Sequence, residues 1–229
     1  MKRHRMGVGR SIVGKVSELG FFLQKIIDLS KLIEEKHKLQ DYPLNIEIDE
    51  LNYYFSAFMN IFQSLKDACK ISMEVDFSWK SMSPSYGEFL FYCRNAVTHD
   101  GRHLINSGHG HKNYITGPLC RIDGRGNSVT HTPPTEDVCS ISCNMSKEVL
   151  ASISTLVKKD GNNIPVPEEA DFIKSYEESL QGNFYPPEII QMKRDNRVEI
   201  INSFKNIKID IVQEILISIK KVEDIIVCT

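Results

Sequence analysis

The chain has 229 residues, with 28 Lys+Arg against 30 Asp+Glu and a formal charge of −2. That length accommodates one large domain or two small ones with a sizeable core, and 41% hydrophobic with 25% charged residues excludes wholesale disorder. Near-zero charge argues against a protein that coats nucleic acid by bulk electrostatics, and no apolar run approaches the roughly 20 residues that cross a bilayer, so no membrane partner is expected.

The start, Met1-Lys2-Arg3-His4-Arg5, is basic like the first region of an export signal, but Lys15 and Glu18 interrupt any apolar continuation. Without an export signal, the six cysteines at 69, 93, 120, 139, 143 and 228 read as reduced thiols of a cytoplasmic protein. Residues 1–10 carry Lys2, Arg3, Arg5 and Arg10 and no acid, which predicts a mobile basic arm at a frayed terminus. Gly7-Val8-Gly9-Arg10-Ser11 has the glycines of a phosphate loop but lacks the following Gly-Lys and a preceding strand, so it is not read as one.

A first helix is predicted from Ser11, as N-cap, to about Leu39. Ile12, Val16, Leu19, Leu23, Ile26, Ile27 and Ile33 form its apolar stripe, and Asp41-Tyr42-Pro43 stops it. A second runs from near Asp49 to about Ser72, with Leu51, Tyr54, Phe55, Phe58, Ile61, Phe62 and Leu65 giving it an aromatic core face. Met73 to Pro84 is a connection holding the single tryptophan, Trp79, and a third helix spans about Ser85 to His99 before Asp100-Gly101.

From Gly101 to about Asn144 helical periodicity disappears. Asn113–Ile122 and Ser128–Ser142 read as strands around an Asp123-Gly124-Arg125-Gly126-Asn127 turn. This predicts a small β-hairpin or three-stranded element inserted at about 102–144. Helix resumes from Ser146 to about Lys158, then from Glu168 to Gln181, and a long helical segment runs from about Pro187 to Val227. The fold expected is mainly α: an up-and-down helical bundle forming a single domain over 1–229.

The stretch with the most chemistry is Arg94-Asn95-Ala96-Val97-Thr98-His99. A guanidinium offers a permanent charge and a donor fork suited to phosphate oxygens. An imidazole takes and gives a proton near neutral pH. Asn95 and His99, four apart, share a helix face, so the amide can orient the imidazole. Arg94 and His99, five apart, diverge by about 140° around an ideal helix. A site using both is therefore helped by fraying at His99, or by a second copy across a two-fold axis.

Arg-Asn-x-x-x-His at the end of a bundle helix, after the aromatic helix that holds Leu51-Asn52-Tyr53-Tyr54-Phe55-Ser56-Ala57-Phe58, resembles the HEPN superfamily (higher eukaryotes and prokaryotes nucleotide-binding). The resemblance covers about residues 45–101. It implies a HEPN-like bundle that acts as a homodimer, and a metal-independent endoribonuclease with RNA as partner and no cofactor. It further implies that Arg94, Asn95 and His99 are the catalytic residues, with a toxin or anti-phage defence role and an antitoxin protein as a further partner. The alternative is a catalytically inactive HEPN-like scaffold that binds nucleotide or protein. A third reading is a zinc-dependent regulator built from His109, His111, Cys120, His131, Cys139 and Cys143, whose spacing matches no standard finger.

Overall fold

In the computed structural model, which describes residues 2–40, 45–99, 101, 103–109, 111–122, 126–181, 185–205, 207 and 209–228, the side chains of Asn45, His99, Ser107 and Ile122 are not described. The described residues are mainly helical, with two small antiparallel sheets among them. Among the described residues, no helix is long and apolar enough to cross a membrane.

Helix α1 (Lys2–Lys38) and helix α2 (Asn45–Met73) pair along their length. The stripe from Ile12 to Ile33 meets Leu51, Phe55, Phe58, Phe62 and Leu65, all fully buried. Each such side chain contributes roughly 1.5–3 kcal/mol by leaving water. Lys36, Lys38 and His37 sit in the last turn of α1, where the helix dipole favours positive charge, and Lys36 pairs with Glu47. Helices α5 (Val138–Asp160) and α9 (Ile211–Val227) complete the core with Ile141, Met145, Val149, Ile153, Ile215, Ile219 and Val222.

The basic terminus is a correction to the expectation of a mobile arm. Helix α1 begins at Lys2, and Ser11 lies inside it, its hydroxyl donating to the Val8 carbonyl rather than capping a helix start. Lys2 pairs with Glu168 at 3.0 Å, and Arg3 bonds Glu178 and Ser175 of helix α6 (Glu169–Gln181). Arg5 is a clasp: its guanidinium donates to the carbonyls of Ser72 at 3.0 Å and Asn163 at 2.7 Å and pairs with Glu74 at 2.8 Å. Gly9 has a packing role, since a Cβ there would stand 2.4 Å from Cγ2 of Ile164.

The short helix α3 (Trp79–Met82), capped by the Ser78 hydroxyl, precedes helix α4 (Gly87–His99). Beyond it, Gly101 takes a φ of +61°, a left-handed conformation that favours glycine, while Asp100 lies outside the described residues. The same holds for Asp41-Tyr42-Pro43 and for Asp123-Gly124-Arg125 of the predicted turn.

The inserted element is two hairpins. Strand β1 (Ser107–His109) pairs with β2 (Lys112–Tyr114), and β3 (Leu119–Ile122) pairs with β4 (Ser128–His131), both antiparallel. The predicted strand 113–122 is interrupted at Gly117-Pro118, where Gly117 has a φ of +86°. The predicted strand 128–142 is cut short because Asp137 caps a helix: its carboxylate accepts from the amides of Cys139 and Ser140, and α5 starts at Val138, before the predicted Ser146. Two asparagines fasten the element. Buried Asn52 accepts from the Ile105 amide and donates to the Ile105 carbonyl, and Asn106 bonds both the amide and the carbonyl of Thr116.

Among the described residues, the C-terminal helical segment holds three helices: α7 (Pro187–Asp195), α8 (Arg197–Phe204) and α9, with Asn196 and Lys205 outside them. Phe172 of α6 stacks on Phe204 of α8, and the Tyr176 hydroxyl donates to the Lys193 carbonyl.

Replacing Arg5 by Ala leaves two carbonyls and the Glu74 carboxylate without this donor. The expected cost is about 1–3 kcal/mol, read as a lower urea midpoint at unchanged slope. An unchanged midpoint contradicts the clasp.

Candidate functional site

Helix α4 owes its orientation to what buries it. Phe89, Leu90, Tyr92, Cys93 and Ala96 face the core. At its start, a Cβ on Gly87 would lie 2.4 Å from the Trp79 carbonyl oxygen, so only glycine permits α3 and α4 to approach this closely. Glu148 of α5 anchors the same turn, accepting from the Ser83 hydroxyl at 2.6 Å and the Ser85 amide at 3.0 Å.

The remaining face carries Phe91, Arg94, Asn95 and Thr98, at helical spacing on one side. Arg94 and Asn95 are half-buried, and Arg94 donates from Nη1 to Asn95 Oδ1 at 3.1 Å. The Thr98 hydroxyl donates to Asn60 Oδ1 of α2 at 2.8 Å. His99 is the last residue of α4, five positions from Arg94, and its imidazole lies outside the described residues' side chains.

On α2, Asn60, Gln63, Lys66 and Asp67 face this seam. Burial pushes the Asp67 carboxyl up. Hydrogen bonds from Lys66 and Gln63 and the positive charges of Lys66 and Arg94 outweigh that, and hold it below the usual carboxylate range. Arg94 thus lies within electrostatic reach of an ionised carboxylate on the neighbouring helix.

Three residues at this surface carry chemistry that motif reading passes over. Arg121 of β3 stacks its guanidinium 4.6 Å from the Phe91 ring centroid and 5.5 Å from that of Tyr92. Its Nε is buried with no hydrogen-bond partner among the described residues. His131 of β4 stacks on Tyr92 at 5.1 Å, so the second hairpin is seated on α4. Trp79 of α3 is half-buried beneath Lys66, whose Nζ stands 5.5 Å from the ring. Strand-to-helix distance hid Arg121. Trp79, as the only tryptophan, was visible but had no neighbour in sequence to give it a role.

The residues weighed for zinc do not converge as one set, although His111 and Cys139 line the same pocket. His131 stacks on Tyr92, and His111 lies against His37 at 5.5 Å between ring centroids. Cys120 is exposed on β3, and Cys139 and Cys143 share one face of α5. Among the described residues, no three His, Cys, Asp or Glu side chains form a group that could hold a metal ion. All six cysteines are free thiols, and burial pushes the Cys69 thiol up to about 12.

Comparison with family models, with curated proteins and with solved structures returned no match.

Because the Asp67 carboxyl is depressed in the folded state, its contribution to stability is present above the ordinary aspartate range and is lost as pH falls through the folded value. Asp67→Asn is therefore expected to destabilise by about 0.5 kcal/mol at neutral pH, a figure already reduced for solvent screening, and by progressively less in acid. Thermal melts across pH check this. A deficit that stays constant into strong acid contradicts it.

Proposed function

We propose that this protein is a HEPN-like, metal-independent endoribonuclease that works as a homodimer. The observation carrying the reading is the placement of Arg94 and Asn95 on the half-open face of α4, with His99 at the end of the same helix. The mainly helical architecture and the aromatic core face of α2 are compatible with a HEPN-like bundle.

In this reading an RNA 2′-hydroxyl attacks the adjacent phosphorus. His99 accepts the hydroxyl proton or supplies one to the departing 5′-oxygen, the second transfer falling to the partner's His99. The 2′-oxygen–phosphorus bond forms as the phosphorus–5′-oxygen bond breaks. The products are a 2′,3′-cyclic phosphate and a 5′-hydroxyl, with no net change in protons or electrons. Arg94 stabilises the charge growing on the non-bridging oxygens, and Asn95 holds the imidazole or the phosphate in place. Two copies reconcile the five-residue spacing, since each supplies the group that the other's helix turns away. Toxin or defence activity, with an antitoxin as partner, is a biological setting in which such an enzyme fits.

One observation favours the scaffold alternative: Arg94 already bonds Asn95 and is opposed by Asp67. In that reading the triplet organises the α2–α4 seam and nothing is cut.

Cleavage of RNA in EDTA separates the two. His99→Ala is expected to lower the rate by roughly 10²–10⁴-fold and Arg94→Ala by roughly 10²–10³-fold, with unchanged circular dichroism. Wild-type rates in both variants, or no cleavage by the wild type, favour the scaffold.

A further inference from the structure

Beside the Arg94 face lies a second feature that the proposed chemistry does not use. Trp79 of α3 and Phe91 of α4 line one open groove with a cavity volume of about 640 Å³, along with Lys80, Pro84 and Glu88. Both rings are half-buried, each leaving part of its surface to solvent. Each also has a cation beside it: Lys66 over Trp79 at 5.5 Å and Arg121 over Phe91 at 4.6 Å. Lys66 is ion-paired with Asp67 at 2.8 Å, so the positive charges left at the groove are Lys80 in the lining, opposed there by Glu88, and Arg121 beside Phe91.

The groove is built rather than incidental. Gly87 forms part of its wall, and the contact that only glycine allows there fixes the spacing of the two ring-bearing helices. The anchor from Glu148 to Ser83 and Ser85 holds the connecting turn. Phe91 stands one turn before Arg94 and Asn95 on the same face, and eight residues, about 12 Å along the helix, before His99.

We infer that the Trp79–Phe91 groove is a base-stacking subsite for single-stranded RNA, holding an unpaired base a few nucleotides from the Arg94 face. Every base offers a π-face to an aromatic ring, and Lys80 and Arg121 at the border meet the neighbouring phosphates. A duplex keeps its bases stacked on one another and presents none to such a groove, so the subsite selects unpaired strand. It rests on the ribonuclease reading for its substrate, but its test is binding rather than cleavage.

Trp79 is the protein's only tryptophan, so its emission reports on this groove alone. Full-length His99→Ala protein in EDTA is titrated with a short single-stranded RNA, with the corresponding blunt duplex and with inorganic tripolyphosphate. The single strand is expected to quench the emission saturably, and the duplex and tripolyphosphate to leave it unchanged. Trp79→Ala is expected to weaken single-strand binding about tenfold by anisotropy of an end-labelled RNA, and Trp79→Phe to restore most of the affinity. Unchanged emission on adding the strand, or equal quenching by duplex or tripolyphosphate, overturns the inference even if Trp79→Ala fails to fold. Quenching without wild-type cleavage keeps the subsite and removes the nuclease; cleavage without quenching does the reverse.

Discussion

The approach of Gly87 to the Trp79 carbonyl is the constraint on which the candidate site depends. Any side chain at that position would collide with backbone, which cannot swing aside as a flexible chain end can. The contact sets the angle at which α4 leaves α3, and so decides which of its residues reach the core. With Phe89, Leu90, Cys93 and Ala96 turned inward, Phe91, Arg94, Asn95 and Thr98 are left on the outer side by helical geometry alone. The apolar face of α4 stabilises the fold, and the polar face is what that stabilisation puts on display.

Around this helix the surroundings are arranged in pairs of opposing effects. Asp67 tempers the positive charge of Lys66 and Arg94, while its own ionisation is sustained by them against partial burial. Arg121 and His131 arrive from a hairpin distant in sequence, Arg121 placing its guanidinium over the Phe91 ring and His131 stacking on Tyr92 of α4. The inserted element is therefore part of the surface that the motif helix presents. Asn52 and Asn106 satisfy backbone groups at its base, which ties its position to α2.

Much of the helical framework was legible because it rests on periodicity. The stripes of α1 and α2 name their buried residues directly, apart from half-buried Tyr54, and α6 begins within one residue of its predicted start. What failed to show depends on contacts remote in sequence. Nothing local says that Arg5 will find carbonyls of Ser72 and Asn163, so the terminus read as loose. The strand-like run after Ser128 concealed a helix start, because β-branched composition outweighed the single capping carboxylate of Asp137. Apolar periodicity continues across Asn196 and past Phe204, although Asn196 and the described residues Lys205, Ile207, Ile209 and Asp210 are not helical. At the site, Arg94, Asn95 and His99 were named from one short motif. Trp79 and Arg121 belong to the same surface only through the folding of α3 and β3 onto α4.

The central claim is that α4 presents a phosphodiester-cleaving pair. The most direct measurement is the mass of the RNA ends left after incubation with the purified wild-type protein in EDTA. The account predicts 3′ fragments beginning with a 5′-hydroxyl and 5′ fragments ending in a 2′,3′-cyclic phosphate. Fragments ending in a free 3′-hydroxyl, or RNA recovered intact, would contradict it.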